Sequence, residues 1–434
     1  MEFSPFKVKL PKFYYGWIIV GVVAMSGFVQ SQETFPVIAI LLKPITEEFG
    51  WSRATFAGAM AIGTVLGGFL GPAVGPIVDR YGPRVVAVPS LFFLGLILIS
   101  MGGISALWQF YGIQITARLI VLGILGLSMG VLIPKWFVSK RGRAVAFTSM
   151  GNRLGTVVLP LLTQTLVNIR GWRTATMGQG LLVWIIAVVP ALIFLRRQPE
   201  DLGLLPDGAG TTDGSLDQSG NNQPRKDSEV SLSVKQVIRL PSFYLLTLAG
   251  MLNFFAAAGL NLHLFPYLTD SGIDPTIAAT VITTWAIFGA IGSVAAGFLA
   301  EKITSRRVSL TAILLMALAV VTLPAIQTTK WALGFSVIHG LGTGGWLTLE
   351  LMIPDYFGRR NIGAIRGITA PIRNIAIASG PVTAGLIYDV TGSYTIGFLA
   401  FFLGLLGAFI CVLFAQPPKE QTRFISESAN ADRV

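Results

Sequence analysis

Charge and thiols are what this sequence has least of. Only 12% of its 434 residues are charged, against 53% hydrophobic, too few ionisable side chains to solvate a water-soluble globule. The single cysteine, Cys411, lies inside a hydrophobic run, which excludes a disulfide framework and a cysteine metal site. Two histidines are present, His263 and His339, neither with a companion at metal-ligand spacing. There is no paired nucleophile and base and no cofactor motif, so neither an enzyme nor a bound cofactor or metal is expected. Gly342-Thr-Gly344-Gly345 lacks the lysine and the strand of a phosphate loop. Without an ATP site, any uphill work needs an ion gradient or exchange.

What fills the sequence instead is one apolar run after another. Runs of about 20 residues, the length that spans a bilayer, fall near 15–39, 53–77, 84–103, 106–136, 143–167, 174–196, 243–267, 277–300, 307–326, 331–356, 364–388 and 395–415. They predict an all-α membrane protein of twelve transmembrane helices in two pseudo-symmetric six-helix bundles. A bundle over 1–200, a linker over 201–240 and a second bundle over 241–434 are expected. The polar stretch Leu205 to Ser231, rich in glycine and asparagine, reads as a cytoplasmic tether. The first apolar run is too long for a signal peptide and lacks a convincing cleavage site, so it is expected to stay.

The formal charge of +11 is topological and not a nucleic-acid signal. Basic residues crowd the termini and the loops after even-numbered spans, among them Lys12, Arg80, Arg84, Lys140, Arg197 and Arg307. The other loops hold only Lys43, Arg53, Arg170, Arg173 and Lys330. The positive-inside rule then puts both termini in the cytoplasm, in an inner (cytoplasmic) cell membrane.

Two motifs recur at one offset. Gly75, Asp79, Arg80, Gly82 and Arg84 follow the second span, and Gly297, Glu301, Lys302 and Arg306 follow the eighth, 222 residues on. Pro134-Lys-Trp-Phe137 with Arg153 is echoed by Pro354-Asp-Tyr-Phe357 with Arg373, 220 residues on. One offset for both indicates a duplicated six-helix unit, and duplicated halves place a site between them near mid-membrane. Gly75 could let helices approach closely, while Asp79, Arg80 and Arg84 could latch the bundles at the cytoplasmic surface.

These residues resemble the major facilitator superfamily along the whole chain. Gly75, Asp79, Arg80, Gly82 and Arg84 match its signature loop, which in the family is taken to stabilise the outward-facing state; the resemblance implies a gating role. Phe49-Gly50-Trp51-Ser52-Arg53, Trp136-Phe137 with Arg141-Gly142-Arg143-Ala144, and Gly171-Trp172-Arg173 resemble the monocarboxylate porter and oxalate/formate antiporter branch. That branch uses a basic residue in helix 11, matched in type by Arg373. It also uses one in helix 8, and helix 8 around Trp285 and Ser293 has none.

Ionisable groups at bilayer depth are costly and therefore mark candidate sites. Arg153 and Arg373 each lie about ten residues, roughly 15 Å, from a cytoplasmic helix start, so they could face one another across a central cavity. Guanidinium pairs suit carboxylates. Arg118 in the fourth span is a further candidate, resembling a superfamily arginine linked to proton coupling, with Gly123 one position off that motif. Glu33, in the polar run Gln30 to Thr34, is a candidate proton carrier that could equally sit exposed at the external mouth. Glu350 is a second candidate carrier, read first as the partner of a signature-loop arginine. His263, beside an expected helix break at Pro266, could reach the cavity, as could Trp285; His339 reads as packing.

The expected function is alternating-access transport of a small organic carboxylate by proton symport or anion exchange. Export of drug-like or other hydrophobic compounds, and a membrane sensor on a transporter fold, are the alternatives. The partners implied are a small organic anion, protons or a counter-anion, and the lipid bilayer, with the chain acting as a monomer and binding no nucleic acid.

Overall fold

The computed structural model describes residues 14–137, 140–205, 232–326, 328–344, 346–358 and 362–418. Twelve helical spans follow in order. α1 consists of Gly16–Gln30 and Phe35–Phe49, joined by the 3-10 turn Ser31–Glu33. α2 consists of Arg53–Gly68 and Gly71–Tyr81, and α3 is Pro83–Met101. α4 runs through Leu107–Arg118, a π-helical stretch Leu119–Leu125, Gly126–Gly130 and Leu132–Trp136. α5 and α6 share Arg141–Val183, divided at Gly171 (φ 79°, ψ 168°), and α6 ends with Trp184–Val188 and Val189–Phe194. The second half holds α7 (Pro241–Asp270), α8 (Pro275–Lys302), α9 (Ser305–Thr322), α10 (Thr329–Gly344 and Trp346–Phe357), α11 (Ile362–Thr391) and α12 (Thr395–Phe414).

Local chemistry sets the ends. Proline, which has no N–H to leave orphaned, opens α3, α7 and α8. Ser52, Asp274 and Thr304 accept backbone N–H groups at the starts of α2, α8 and α9. Gly50 closes α1 in the left-handed conformation (φ 67°). Among the described residues seven stretches are long and apolar enough to cross a bilayer unaided, Arg143–Phe194 among them carrying two spans. α1 and α2 are each assembled from shorter segments, which is where backbone polar groups become available at membrane depth.

Two expectations change. α1 does not end near residue 39 but continues to Phe49, so Lys43, Glu47 and Glu48 are helical. The charges do not stop the helix because they find partners, Lys43 in Asp270 (2.9 Å) and Glu48 in Trp172 and Arg173. α7 does not break at Pro266: Pro241–Asp270 is continuous. Pro266 lies near the end of α7, and the neighbouring Tyr267 ties this turn through its hydroxyl to the Leu323 carbonyl just past α9. The expected tether lies, from residue 206 to 231, outside the described residues.

Gly16 and Phe414 lie at the terminal face of the bundle, and the apolar core is distributed unequally between this face and the opposite one. Tyr15, Ile19, Leu91, Leu125, Trp136 and Ala187 form a core confined to the first half. A second core joins the halves, because Ile38–Ile45 of α1 and Phe56–Met60 of α2 pack with α7 and α11 residues. α2 shows the division within one span: Arg53–Gly68 packs along α11, whereas Gly71–Tyr81 packs on α3 and α4 of its own half. The halves are thus sealed on the face opposite the termini and part toward the terminal face.

Candidate substrate cavity and inter-half latch

The break in α1 opens the site. Ser31 Oγ donates to the Phe28 carbonyl (2.5 Å) and Thr34 Oγ1 to the Ser31 carbonyl (2.6 Å), so side-chain hydroxyls add to the backbone bonds that these carbonyls accept at the break. Thr34 is extended (φ −78°, ψ 149°), and with Phe35 and Pro36 it lines a cavity of about 590 Å³ between the halves. α5 contributes Ser149, Asn152, Arg153 and Thr156; α7 contributes Asn253, Phe254, Ala257, Ala258 and Asn261. Trp285, Gly289 and Ser293 of α8 complete the wall with Met316, Thr343 and Ile377. Discontinuous helices around a site between repeats are how a membrane protein presents polar backbone to a ligand.

Among the described lining residues Arg153 is the one charged side chain. Trp285 also reaches the cavity, held by an indole N–H donated to Thr343 Oγ1 (3.1 Å). The Asn261 Oδ1 is buried without a hydrogen-bond partner. Asn253, 4% exposed, has only the Met316 sulfur, 4.0 Å away, against its amide nitrogen.

Arg373 does not face Arg153 across this space. It lines a separate small pocket of about 40 Å³, 3.8 Å from Glu350, with its guanidinium 5.8 Å from the Phe254 ring centroid. Phe254 borders both pockets and divides them. Glu350 therefore pairs with Arg373 and not with a signature-loop arginine, because α10 and α11 are neighbours in the same half.

Arg118 and Glu33 stand behind the cavity wall. Glu33 is 6% exposed and its Oε2 accepts from Gln114 Nε2 (2.8 Å), so it is not at an open mouth. Arg118, one helical turn from Gln114, donates from Nη1 to Thr64 Oγ1 (3.0 Å) and lies 4.5 Å from the Phe35 ring centroid. Its Nε and Nη2 have no partner. An acid, a half-satisfied base and the cavity-lining Phe35 are thus brought together by α1 and α4.

His263 belongs to a different structure, a polar latch sealing the opposite face. Asp389 of α11 accepts the backbone N–H groups of Arg53 and Ala54 (3.0 Å each), capping α2 from the other half. Arg53 reaches Asp270 of α7 (2.6 Å) and the Tyr394 hydroxyl (2.5 Å), and stacks over Tyr388 with 3.8 Å to the ring centroid. Lys43 holds the other Asp270 oxygen (2.9 Å). The Pro381 carbonyl can only accept, so His263 donates to it from Nε2 (2.8 Å) and receives the Tyr394 hydroxyl at Nδ1 (3.0 Å) when neutral. Burial raises the Tyr394 hydroxyl above the ordinary phenol range despite the opposing pull of Arg53, which keeps its proton in place.

The latch rests on residues whose sequence role was only resemblance. Phe49 stacks on Trp51 (4.5 Å), and Trp172 and Arg173 both donate to Glu48 (2.7 and 2.6 Å). Asp270 and Asp389 were not singled out in the sequence. Their signal was an acid at the same end of two spans, opposite the base Arg53.

On the terminal face the signature loop makes contacts within its own half. Arg84 donates to the Leu192 carbonyl (2.8 Å), Arg80 lies over the Tyr81 ring, and Gly82 (φ 86°) meets the Arg197 side chain. Gly75 has open space where a Cβ would stand, so the close approach expected of it is not made in this state. The Asp79 side chain lies outside the described set.

The family model described as Major Facilitator Superfamily matches residues 17–272 and 246–432. Monocarboxylate transporter 12-B of Danio rerio is 23% identical over 78% of this chain and 69% of its own length. The nitrite extrusion protein of Bacillus subtilis is 22% identical over 91% and 94%. Among solved structures, a bacterial homologue of the human lysosomal transporter Spinster, in an inward-facing and occupied conformation, superposes with a TM-score of 0.68 at 17% identity, covering 94% of this chain and 95% of that one.

Proposed function

Because the chain belongs to the major facilitator superfamily and is a multi-pass membrane transporter, we propose that it moves a small organic carboxylate across a cell membrane by alternating access. The observation that carries this reading is Arg153, the single charge on the cavity between the halves. A guanidinium in a half-apolar cavity favours an anion that it can hold through paired hydrogen bonds. Two relatives, a monocarboxylate transporter and a nitrite extrusion protein, are both named for anionic cargo. With both termini in the cytoplasm of the inner membrane, the sealed face is external and the state is inward-facing.

Millimolar carboxylate is expected to raise the apparent melting temperature of detergent-purified protein; at a hundred times Kd a ligand stabilises by about 2.7 kcal/mol. Arg153→Ala should abolish that shift while Arg373→Ala, whose cation is held by Glu350, keeps most of it. Stabilisation by lipophilic compounds alone, unchanged in Arg153→Ala, would move the reading to export of hydrophobic compounds, which the Phe35, Phe254 and Trp285 surfaces of the cavity would also accommodate.

Glu33 and Arg118 support proton coupling. A carboxylate enclosed beside a cation with unused N–H donors changes its proton affinity when an anion arrives on the far side of Phe35. Glu33→Gln retains the acceptor for Gln114 and should leave carboxylate exchange in proteoliposomes intact while reducing accumulation driven by a pH gradient about tenfold. Undiminished gradient-driven accumulation in this variant would shift the proposal to anion exchange.

A further inference from the structure

We infer that the cargo is a monoanion with a sizeable apolar or aromatic body and one hydroxyl or N–H donor, not a dicarboxylate or a two- or three-carbon acid. This rests on the carboxylate reading and narrows it.

The cavity of about 590 Å³ has room for roughly twenty waters at about 30 Å³ each. It opens toward the terminal face in this state, so its volume admits a ligand far larger than lactate without by itself requiring one. Charge on the wall is confined to Arg153 among the described lining residues, and the second arginine of the repeat is engaged by Glu350 at 3.8 Å behind Phe254. A second carboxylate would therefore enter a low-dielectric space with no cation to meet it. Phe35, Phe254, Trp285 and Met316 give the cavity a broad apolar surface suited to a ring or branched chain.

The donor requirement comes from Asn261. Asn261 lines the cavity, and its Oδ1, buried behind the cavity surface, has no partner. A buried acceptor left unmade is unfavourable, and a site built to bond an O–H or N–H rejects analogues lacking it. Asn261 lies eight residues beyond Asn253 on α7, about 12 Å along the helix at 1.5 Å per residue, so one helix face offers polar groups separated by Phe254, Ala257 and Ala258.

The test is equilibrium binding of four probes to the detergent-purified full chain: 3-phenyllactate, 3-phenylpropanoate, lactate and phenylsuccinate. Phenyllactate is expected to bind at least about tenfold more tightly than each of the others. In Asn261→Leu the advantage of phenyllactate over phenylpropanoate should vanish. In Trp285→Ala the advantage over lactate should shrink. Lactate or phenylsuccinate binding as tightly as phenyllactate, or a phenylpropanoate gap that persists in Asn261→Leu, would overturn the inference and leave the carboxylate reading standing. If none of the four binds, both fall together. A variant that fails to fold is recognised by its elution profile, and the wild-type ranking of the four probes then decides alone.

Discussion

Arg53→Ala is expected to abolish transport and open the latched face. Arg53 is one of two bases joining α1 and α2 to the second half, and its guanidinium serves Asp270, the Tyr394 hydroxyl and the Tyr388 ring at once. Its side chain is only 11% exposed and that of Asp270 25%, so water replaces little of what is lost. Truncating one member of a buried, hydrogen-bonded charge pair costs about 2–5 kcal/mol. Every one of these contacts crosses between halves, so the whole cost falls on the closed state. A shift of about 2 kcal/mol moves a two-state equilibrium roughly thirtyfold. Spin labels at Glu47→Cys in the first half and Val390→Cys in the second, both well exposed, with Cys411→Ala, should report a longer-distance population that is absent without Arg53→Ala. Arg53→Lys keeps a charge for Asp270 but not the planar stacking, and should lie between. An unchanged distance distribution with normal uptake would show that the latch does not hold the state.

The second large effect is steric and separates folding from gating. A Cβ on Gly151 of α5 would stand 1.9 Å from the Ala24 carbonyl oxygen and 2.5 Å from its carbon, both backbone atoms of α1. Neither helix can yield, since both belong to one bundle. Overpacking ordinarily costs about 1–3 kcal/mol and more where backbone must move, so Gly151→Val should remove most of the folded, monodisperse protein recovered on size exclusion. Gly385 of α11 looks similar, its Cβ falling 2.7 Å from Ala54 N and 2.8 Å from Ala54 Cα. That contact, however, lies between halves that can separate as rigid bodies. Gly385→Val should therefore fold in near-normal yield with the Glu47–Val390 label distance lengthened. Equal loss of yield in both variants would contradict rigid-body parting of the two halves.

Legibility in the sequence followed the range of the physics involved. The spans could be read because apolar length is a local property, and failed at the end of α1, where Lys43 interrupts hydropathy but not the helix. The repeat relation of Arg153 and Arg373 was visible, yet their fates differ because Glu350 stands beside only one of them. His263 was legible as a polar group in a span. Its company, Tyr394 and Pro381, arrives from 131 and 118 residues away, and no spacing rule reaches that far.

By itself the sequence determined that the chain is a helical membrane protein of duplicated halves, since hydropathy, charge placement and a nearly constant repeat offset are all carried along the chain. Only the tertiary structure decided which charges share a space. It put Arg153 on the cavity, paired Arg373 with Glu350, set Glu33 and Arg118 behind Phe35, and assembled Arg53, Lys43, Asp270 and Asp389 into a latch. The reason is that electrostatic and steric energies at a few ångströms depend on how helices rotate and tilt against one another, and that is settled by the packing of all twelve at once.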